Sequence, residues 1–75
     1  MEIRVKLMGM LRSKAPPQNK IEVPDGATVE EVLRVLDIPA NHVMLVSING
    51  QHERDRGRRL APNDELMILP PTGGG

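Results

Sequence analysis

The 75-residue chain contains no cysteine and no phenylalanine, tyrosine or tryptophan. Without cysteine it forms no disulfide, offers no thiolate nucleophile and holds no metal through sulfur. Without aromatic rings it lacks the stacking surfaces on which many proteins bind single-stranded nucleic acid. The core must therefore be built from aliphatic side chains, with the five methionines free to fill irregular gaps.

A net charge is also absent, because ten lysines and arginines balance ten aspartates and glutamates. Such a chain has no overall attraction to nucleic acid or to an anionic membrane. No apolar run approaches the length of a membrane span, and the N-terminal MEIRVKLMGM lacks the apolar core of a signal peptide. We therefore expect a cytoplasmic protein that binds neither nucleic acid nor membrane.

Apolar patterning predicts four strands. Residues 2–8 and 20–23 alternate between apolar and polar, so each is predicted to be a half-buried strand. The loop 9–18 could join them into an antiparallel hairpin, since it contains a glycine and two adjacent prolines. Residues 43–48 (VMLVSI) are nearly all apolar, as in a central strand, and 65–69 (ELMIL) form the last strand.

One helix is predicted between the second and third strands. Thr28 followed by Glu31 is the pattern of a capping box, which satisfies free backbone groups at a helix N-terminus. Pro39 disfavours helical geometry at the residue before it, so the helix should run from about Val29 to Leu36. Its apolar face consists of Val29, Val32, Leu33 and Leu36.

This order of elements predicts an α+β domain over residues 1–69, in which one helix packs on a mixed sheet of four or five strands. If the last strand lies beside the first, the arrangement is a β-grasp (ubiquitin-like) fold. That placement is a topological hypothesis, because periodicity does not reveal which strands are neighbours.

No set of side chains forms a recognisable active site. His42 and His52 share no helical spacing, and we interpret both as surface residues. Ser13 and Ser47 lie in no nucleophile elbow, and the chain has no phosphate-binding glycine loop. We therefore expect no enzyme activity of its own, no bound cofactor and no metal. The polar segment 51–59 is interpreted as a solvated, flexible loop; alternatively, its Arg54, Arg56, Arg58 and Arg59 form a docking surface for an acidic partner.

The chain closes on LPPTGGG, in which two prolines and three glycines follow the last strand. Residues 70–75 are predicted to be a flexible tail. Proline makes the exit stiff and extended, and we expect it to project the terminus away from the domain. Glycine has no Cβ and can pass through a slot only as wide as the backbone. A carboxylate on so thin an arm is a suitable substrate for activation by another enzyme.

Residues 46–50 (VSING), 60–69 (LAPNDELMIL) and 70–75 (PPTGGG) together resemble the ubiquitin-like sulfur carriers, the family of the molybdopterin synthase small subunit (MoaD) and the thiamine sulfur carrier (ThiS). The resemblance covers nearly the whole chain. Pro-Pro before the terminal glycines is typical of the molybdopterin branch. Where the family usually has Gly-Asp in the turn before the last strand, this chain has Asn63-Asp64, which also suits a turn.

The resemblance implies that an E1-like enzyme binds the domain and uses ATP to adenylate the Gly75 carboxylate, with Gly74 as the required neighbour. Sulfur from a cysteine persulfide then replaces AMP and leaves a thiocarboxylate on Gly75. The acceptor would be a synthase, with the molybdopterin synthase large subunit as the closest match.

Strand alternation predicts the surface that these partners bind. If Ile3, Val5, Leu66 and Ile68 face the helix, then Met67 and Leu69 face outward, with Leu45 and Val43 beside them. The alternative places the same residues in the core. The predicted partner contacts are Met67, Leu69, Leu45, Pro70, Pro71, Thr72 and Gly73.

Three other functions fit the same residues. The activated tail could form isopeptide bonds with lysines, as in a ubiquitin-like protein modifier. The sulfur could instead serve thiamine synthesis or tRNA thiolation. Finally, the domain could be a plain interaction module with an inert tail.

Overall fold

A computed structural model describes residues 1–71 of the chain. These residues form one five-stranded sheet with one α-helix packed across it. The sheet order is β2-β1-β5-β3-β4, and short 3₁₀ helices cover Gly9–Lys14, Pro17–Asn19 and Ala40–His42. The elements are β1 (Glu2–Leu7), β2 (Lys20–Glu22), α1 (Val29–Val35), β3 (Leu45–Ile48), β4 (Gln51–His52) and β5 (Glu65–Leu69).

The first and last strands lie side by side in the middle of the sheet. They pair in parallel, with Val5 beside Leu66 and Leu7 beside Ile68. β1 also pairs antiparallel with β2, and β5 pairs antiparallel with β3. The predicted hairpin and the hypothesis that the last strand joins the first are both confirmed, and the fold is the β-grasp.

The core lies between α1 and one face of the sheet. Ile3, Val5, Leu66 and Ile68 alternate with exposed or partly buried residues along the two central strands, and each is at most 1% exposed. Because residues two apart in a strand share a face, these side chains form one aliphatic layer. The helix contributes Val29, Val32 and Leu33 to the same cluster.

Helix α1 begins as the capping pattern predicts. The Oγ1 of Thr28 accepts a hydrogen bond from the backbone N–H of Glu31 at 3.2 Å. The helix ends at Val35, one residue before the predicted end, and the backbone of Asp37 is left-handed with φ 59°. The chain therefore turns before Pro39 could interrupt the helix.

The third strand is shorter than predicted. The 3₁₀ helix Ala40–His42 carries the chain to Val43, which is its C-cap, and β3 begins only at Leu45. After the Asn49-Gly50 turn, Gln51–His52 pair with Ser47 and Ile48 as the short edge strand β4. A polar dipeptide carries no apolar alternation, so this edge strand was not predicted.

The arginine-rich segment 53–59, here called the arginine loop, is held against the start of α1, which corrects the prediction of a flexible loop. The backbone N–H groups of Val29 and Glu30 donate to the carbonyls of Arg58 and Arg56, at 3.1 and 2.9 Å. Leu60 is buried and donates to the Ala27 carbonyl at 2.8 Å. The loop thus satisfies N–H groups that every helix leaves free in its first turn.

An ion pair inside this loop stabilises its shape. Arg58 Nη1 donates to Glu53 Oε1 at 2.7 Å, and the Asp55 backbone N–H donates to Glu53 Oε2 at 3.0 Å. The hydrogen bond from Arg58, followed by that from Asp55, lowers the pKa of the Glu53 carboxyl below its ordinary value. Because the folded pKa is depressed, this contact stabilises the fold above the ordinary carboxyl pKa and is lost as the pH falls through the lowered value.

We expect Thr28→Ala to lower the free energy of unfolding by about 1 kcal/mol, because it removes the side-chain acceptor at the helix N-terminus. Thr28→Ser is the matched control, since it retains a hydroxyl at the same position. Urea unfolding of the three proteins checks this. Equal losses in the alanine and serine variants would mean that the methyl group matters rather than the cap.

Candidate functional site

The tail leaves the domain from the middle of the sheet. β5 ends at Leu69 between β1 and β3, and the elements on both sides hold its last residues. The Met8 backbone N–H donates to the Ile68 carbonyl at 3.1 Å, and the Met44 N–H donates to the Leu69 carbonyl at 2.8 Å. The strand is thus fastened on both sides up to the point where the tail begins.

Pro70, at which the predicted tail begins, packs against the domain. It is buried, whereas Pro71 is exposed. Gly9 has φ +56°, and a Cβ added there would lie 3.0 Å from Pro70 Cγ. A side chain at position 9 would therefore displace the proline. β5 is an interior strand of the sheet, and the first proline after it packs on the domain. The predicted site residues Thr72, Gly73, Gly74 and Gly75 lie outside the described residues.

The predicted apolar contacts share the sheet face opposite α1. Leu45 is beside Leu69 in the β3–β5 register, and Met67 is beside Ser47. Leu45, Met67 and Leu69 are partly buried and lie outside the core cluster. We call these three residues the apolar patch. Its position on the outer face agrees with the alternation, whereas its binding role stays a prediction.

Val43 is the exception. It is only 8% exposed and belongs to the core, so its predicted place in the patch is wrong. Alternation cannot be extended from Leu45 back to Val43, because the chain there follows a 3₁₀ helix rather than a strand. Its neighbour Met44 is 64% exposed instead.

The residues examined as catalytic candidates do not assemble into a site. Ser47 and His52 are opposite each other in the β3–β4 register, but no hydrogen bond joins their side chains within residues 1–71. Ser13 lies exposed in the first 3₁₀ helix, and His42 is partly buried in the last one. Over the same residues, no three histidine, aspartate or glutamate side chains are grouped so that they could hold a metal ion. No helix in the described part of the chain has the length and hydrophobicity needed to span a membrane.

Sequence reasoning missed the residues that position the exit of the tail. Gly9 was interpreted only as a loop residue, although its place directly after the first strand was a usable signal. The backbone contacts of Met8 and Met44 left no signal, because any residue except proline can donate them.

A β-grasp domain whose central strand leads into a C-terminal Gly-Gly is typical of ubiquitin-like proteins. The chain belongs to the ThiS family, whose profile matches residues 5–75. That family, with its MoaD-like relatives, comprises ubiquitin-like sulfur carriers.

Three solved structures with the same fold are similar to this chain. The crystal structure of SAMP1 from Haloferax volcanii is 26% identical over 100% of both chains, with a TM-score of 0.73. Another structure of the H. volcanii small archaeal modifier protein 1 is 25% identical, covers 95% of this chain and 98% of that one, and has a TM-score of 0.72. A putative molybdopterin converting factor, subunit 1, from Pyrococcus furiosus is 18% identical over 96% and 99% of the chains, with a TM-score of 0.73, a likeness that concerns the fold alone. No curated protein sequence matches the chain significantly.

We expect Gly9→Ala to destabilise the domain more than Gly26→Ala does. Both glycines have positive φ, +56° and +79°, but an added Cβ has nothing within 4 Å at Gly26 and meets Pro70 at Gly9. Backbone strain alone costs roughly 1–2 kcal/mol. The loss at Gly9 should exceed the loss at Gly26, and the NMR signals of Leu69 should shift only in the Gly9 variant. Equal losses and an unmoved Leu69 would contradict the packing of Pro70 on Gly9.

Proposed function

We propose that this chain is a sulfur carrier, a partner of enzymes rather than an enzyme, whose terminal Gly75 is adenylated and then converted to a thiocarboxylate. The observation that carries the proposal is the match to the ThiS family, which extends through the domain to Gly74 and Gly75. The fastening of β5 up to Pro70 supports it, because a rigid exit limits the directions in which a short tail can reach a partner's active site.

The chemistry proceeds in three balanced steps on the partner enzymes. A Gly75 carboxylate oxygen attacks the α-phosphate of ATP and releases pyrophosphate, which leaves an acyl-adenylate. The terminal sulfur of a cysteine persulfide attacks the acyl carbon, and AMP departs. A second thiol of the partner then cleaves the acyl disulfide, which yields the thiocarboxylate and a disulfide. The E1-like enzyme binds the ATP that the first step consumes, and the carrier itself binds no cofactor.

The apolar patch is the proposed binding surface for both the activating enzyme and the sulfur-accepting synthase. Aliphatic side chains grouped on an outer sheet face are typical of a protein-binding surface. Gly75 is six positions beyond Leu69, which is at most about 22 Å of extended chain. A partner seated on the patch could therefore hold the domain while the tail reaches its active site. Pro71, Thr72 and Gly73 would line the path to that site.

For the receiving pathway we propose molybdopterin synthesis, with the synthase large subunit as acceptor. The support is the Pro70-Pro71 pair before the terminal glycines, which resembles the molybdopterin branch of the family. Thiamine synthesis and tRNA thiolation remain the alternative destinations.

A role as a protein modifier is the second candidate. The observation that favours it is the 26% identity, over the whole of both chains, to a protein named a small archaeal modifier protein. Both functions begin with the same adenylate and differ in what attacks it, a sulfur or a lysine amine. Lysine-linked conjugates in extracts of the source cell would support the modifier role.

We expect the intact protein to gain the mass of one oxygen-to-sulfur exchange when incubated with the cognate E1-like enzyme, ATP and a sulfur donor. Mass spectrometry of the whole chain and of its C-terminal peptide measures the change and its location. Omission of ATP should prevent it.

A variant that lacks Gly74 and Gly75 is the matched control, because its domain is complete. It should remain unmodified while unfolding at the same temperature as the wild type. If its biological activity equals that of the full chain, the tail is inert and the domain is an interaction module.

We expect Met67→Asp to weaken binding to the activating enzyme by about 2 kcal/mol, or roughly thirtyfold, because a carboxylate would be buried in an apolar contact. The fold should survive, since Met67 lies outside the core cluster. Val35→Asp is the control, since Val35 is 61% exposed on α1, across the sheet from the patch. Titration calorimetry and thermal unfolding measure both effects. A Met67 variant that unfolds, or that binds like the wild type, contradicts the proposed surface.

A further inference from the structure

Beside the apolar patch, the outer sheet face carries a group of positive charges. In β1 the side chains of Arg4 and Lys6 are exposed, and Lys20 of β2 is exposed beside Arg4 in the antiparallel register. Lys6 is in turn beside Met67 in the β1–β5 register. Lys6 therefore adjoins the patch directly, and Arg4 and Lys20 extend the positive charge away from it on the same face, although the whole chain has no net charge.

These side chains line a shallow groove of about 350 Å³ between β1 and the start of β2. Gln18 and Asn19 form its other rim, and Glu65 is the one carboxylate among its lining residues. We call this surface the basic groove. Its walls thus offer three positive charges, one negative charge and two neutral amide side chains, an excess of positive charge.

Two features of the groove are unfavourable for the stability of the domain: a pair of like charges, and two residues with left-handed backbone. Arg4 and Lys20 are paired directly across neighbouring strands, where like charges repel. Within residues 1–71 no salt bridge involves Arg4, Lys6 or Lys20.

Gln18 and Asn19 are both left-handed, with φ 57°, a conformation that few residues other than glycine adopt. At the far end of the same strand pair, by contrast, the N-terminal ammonium lies 3.8 Å from Glu22, which faces Glu2. The repulsion there is offset by an ion pair. At the groove, Glu65 lies beside Arg4 in the β1–β5 register, but it forms no salt bridge with Arg4 within residues 1–71.

We infer that the basic groove binds carboxylate side chains on the activating enzyme, on the rim of the contact whose centre is the apolar patch. This inference rests on the proposed function. A docking surface with an apolar centre and a charged rim is the usual anatomy of a protein interface. Complementary rim charges accelerate association and exclude wrong partners. Nucleic acid fits the groove less well, because the chain has no aromatic ring on which a base could stack.

The test compares two triple variants that remove the same charge. R4Q/K6Q/K20Q neutralises the groove, and R34Q/R54Q/R59Q neutralises three exposed arginines on α1 and the loop packed against it. Binding to the cognate activating enzyme is measured at low and high salt by stopped-flow association. We expect the groove variant to associate about tenfold more slowly at low salt and to lose most of its salt dependence. The control variant should stay within about twofold of the wild type.

Several outcomes would overturn the inference. Equal effects in the two variants would mean that only net charge matters, and a larger effect in the control would place the docking surface on the arginine loop. The groove variant should also unfold at or above the wild-type temperature, because a repulsive pair has been removed. If it unfolds well below that temperature, the cations serve the fold instead.

A second measurement separates this inference from the proposed function. A glutamate-rich peptide with one leucine is titrated into the isotope-labelled protein, with inorganic phosphate and ATP as competing probes. Saturable NMR shifts at Arg4, Lys6 and residues 18–20 support carboxylate binding even if the wild-type chain is never adenylated. Shifts spread evenly over the surface, or displacement of the peptide by equimolar phosphate or ATP, overturn it. If the wild type is adenylated and the groove variant binds equally fast, the function stands and the groove does not.

Discussion

The parallel pairing of β1 with β5 is the contact on which the rest of the structure depends. It joins the two ends of the described chain in the middle of the sheet and buries Val5, Leu66 and Ile68 under the helix. Because β5 has a neighbour on each side, its last carbonyls bond to both Met8 and Met44. The stability of the core and the position of the tail exit therefore come from the same few residues. A carrier with its last strand at a sheet edge would lack this coupling.

The two faces of the sheet have different roles: one forms the core, and the other carries the proposed binding surfaces. One face packs aliphatic side chains against α1, while the other presents the apolar patch and, next to it, the basic groove. Strand alternation makes this separation possible, since neighbouring residues of β5 face opposite ways. Met67 and Leu69 can therefore change with little effect on the core. The arginine loop packs against the start of α1, where its backbone carbonyls accept hydrogen bonds from the first turn of the helix.

Local sequence patterns predicted the structure correctly wherever a helix or strand is determined by its own residues. The alternation of β1 and β5, the Thr28 cap and the extent of α1 were predictable within a residue or two. The same reasoning failed at Val43, where a 3₁₀ helix interrupts the strand, and at β4, whose two polar residues are ordered only by pairing with β3. The arginine loop was misjudged for a related reason, since its backbone bonds to a helix distant in sequence. At Asn63 the local reasoning was correct. Its φ of 67° suits the turn position where the family usually has glycine.

The residues alone determined the class of fold, the aliphatic core and the family to which the chain belongs. Periodicity, helix caps and the Gly-Gly ending are local patterns, which depend only on residues close together in sequence. Only the tertiary structure decided which strands are neighbours. That choice placed Pro70 on Gly9, moved Val43 into the core and brought Lys20 beside Arg4 and Lys6 beside Met67. The physical reason is that alternation assigns a side chain to a face, whereas the register between strands assigns its neighbours. Register depends on contacts between residues far apart in sequence, and no local pattern records it.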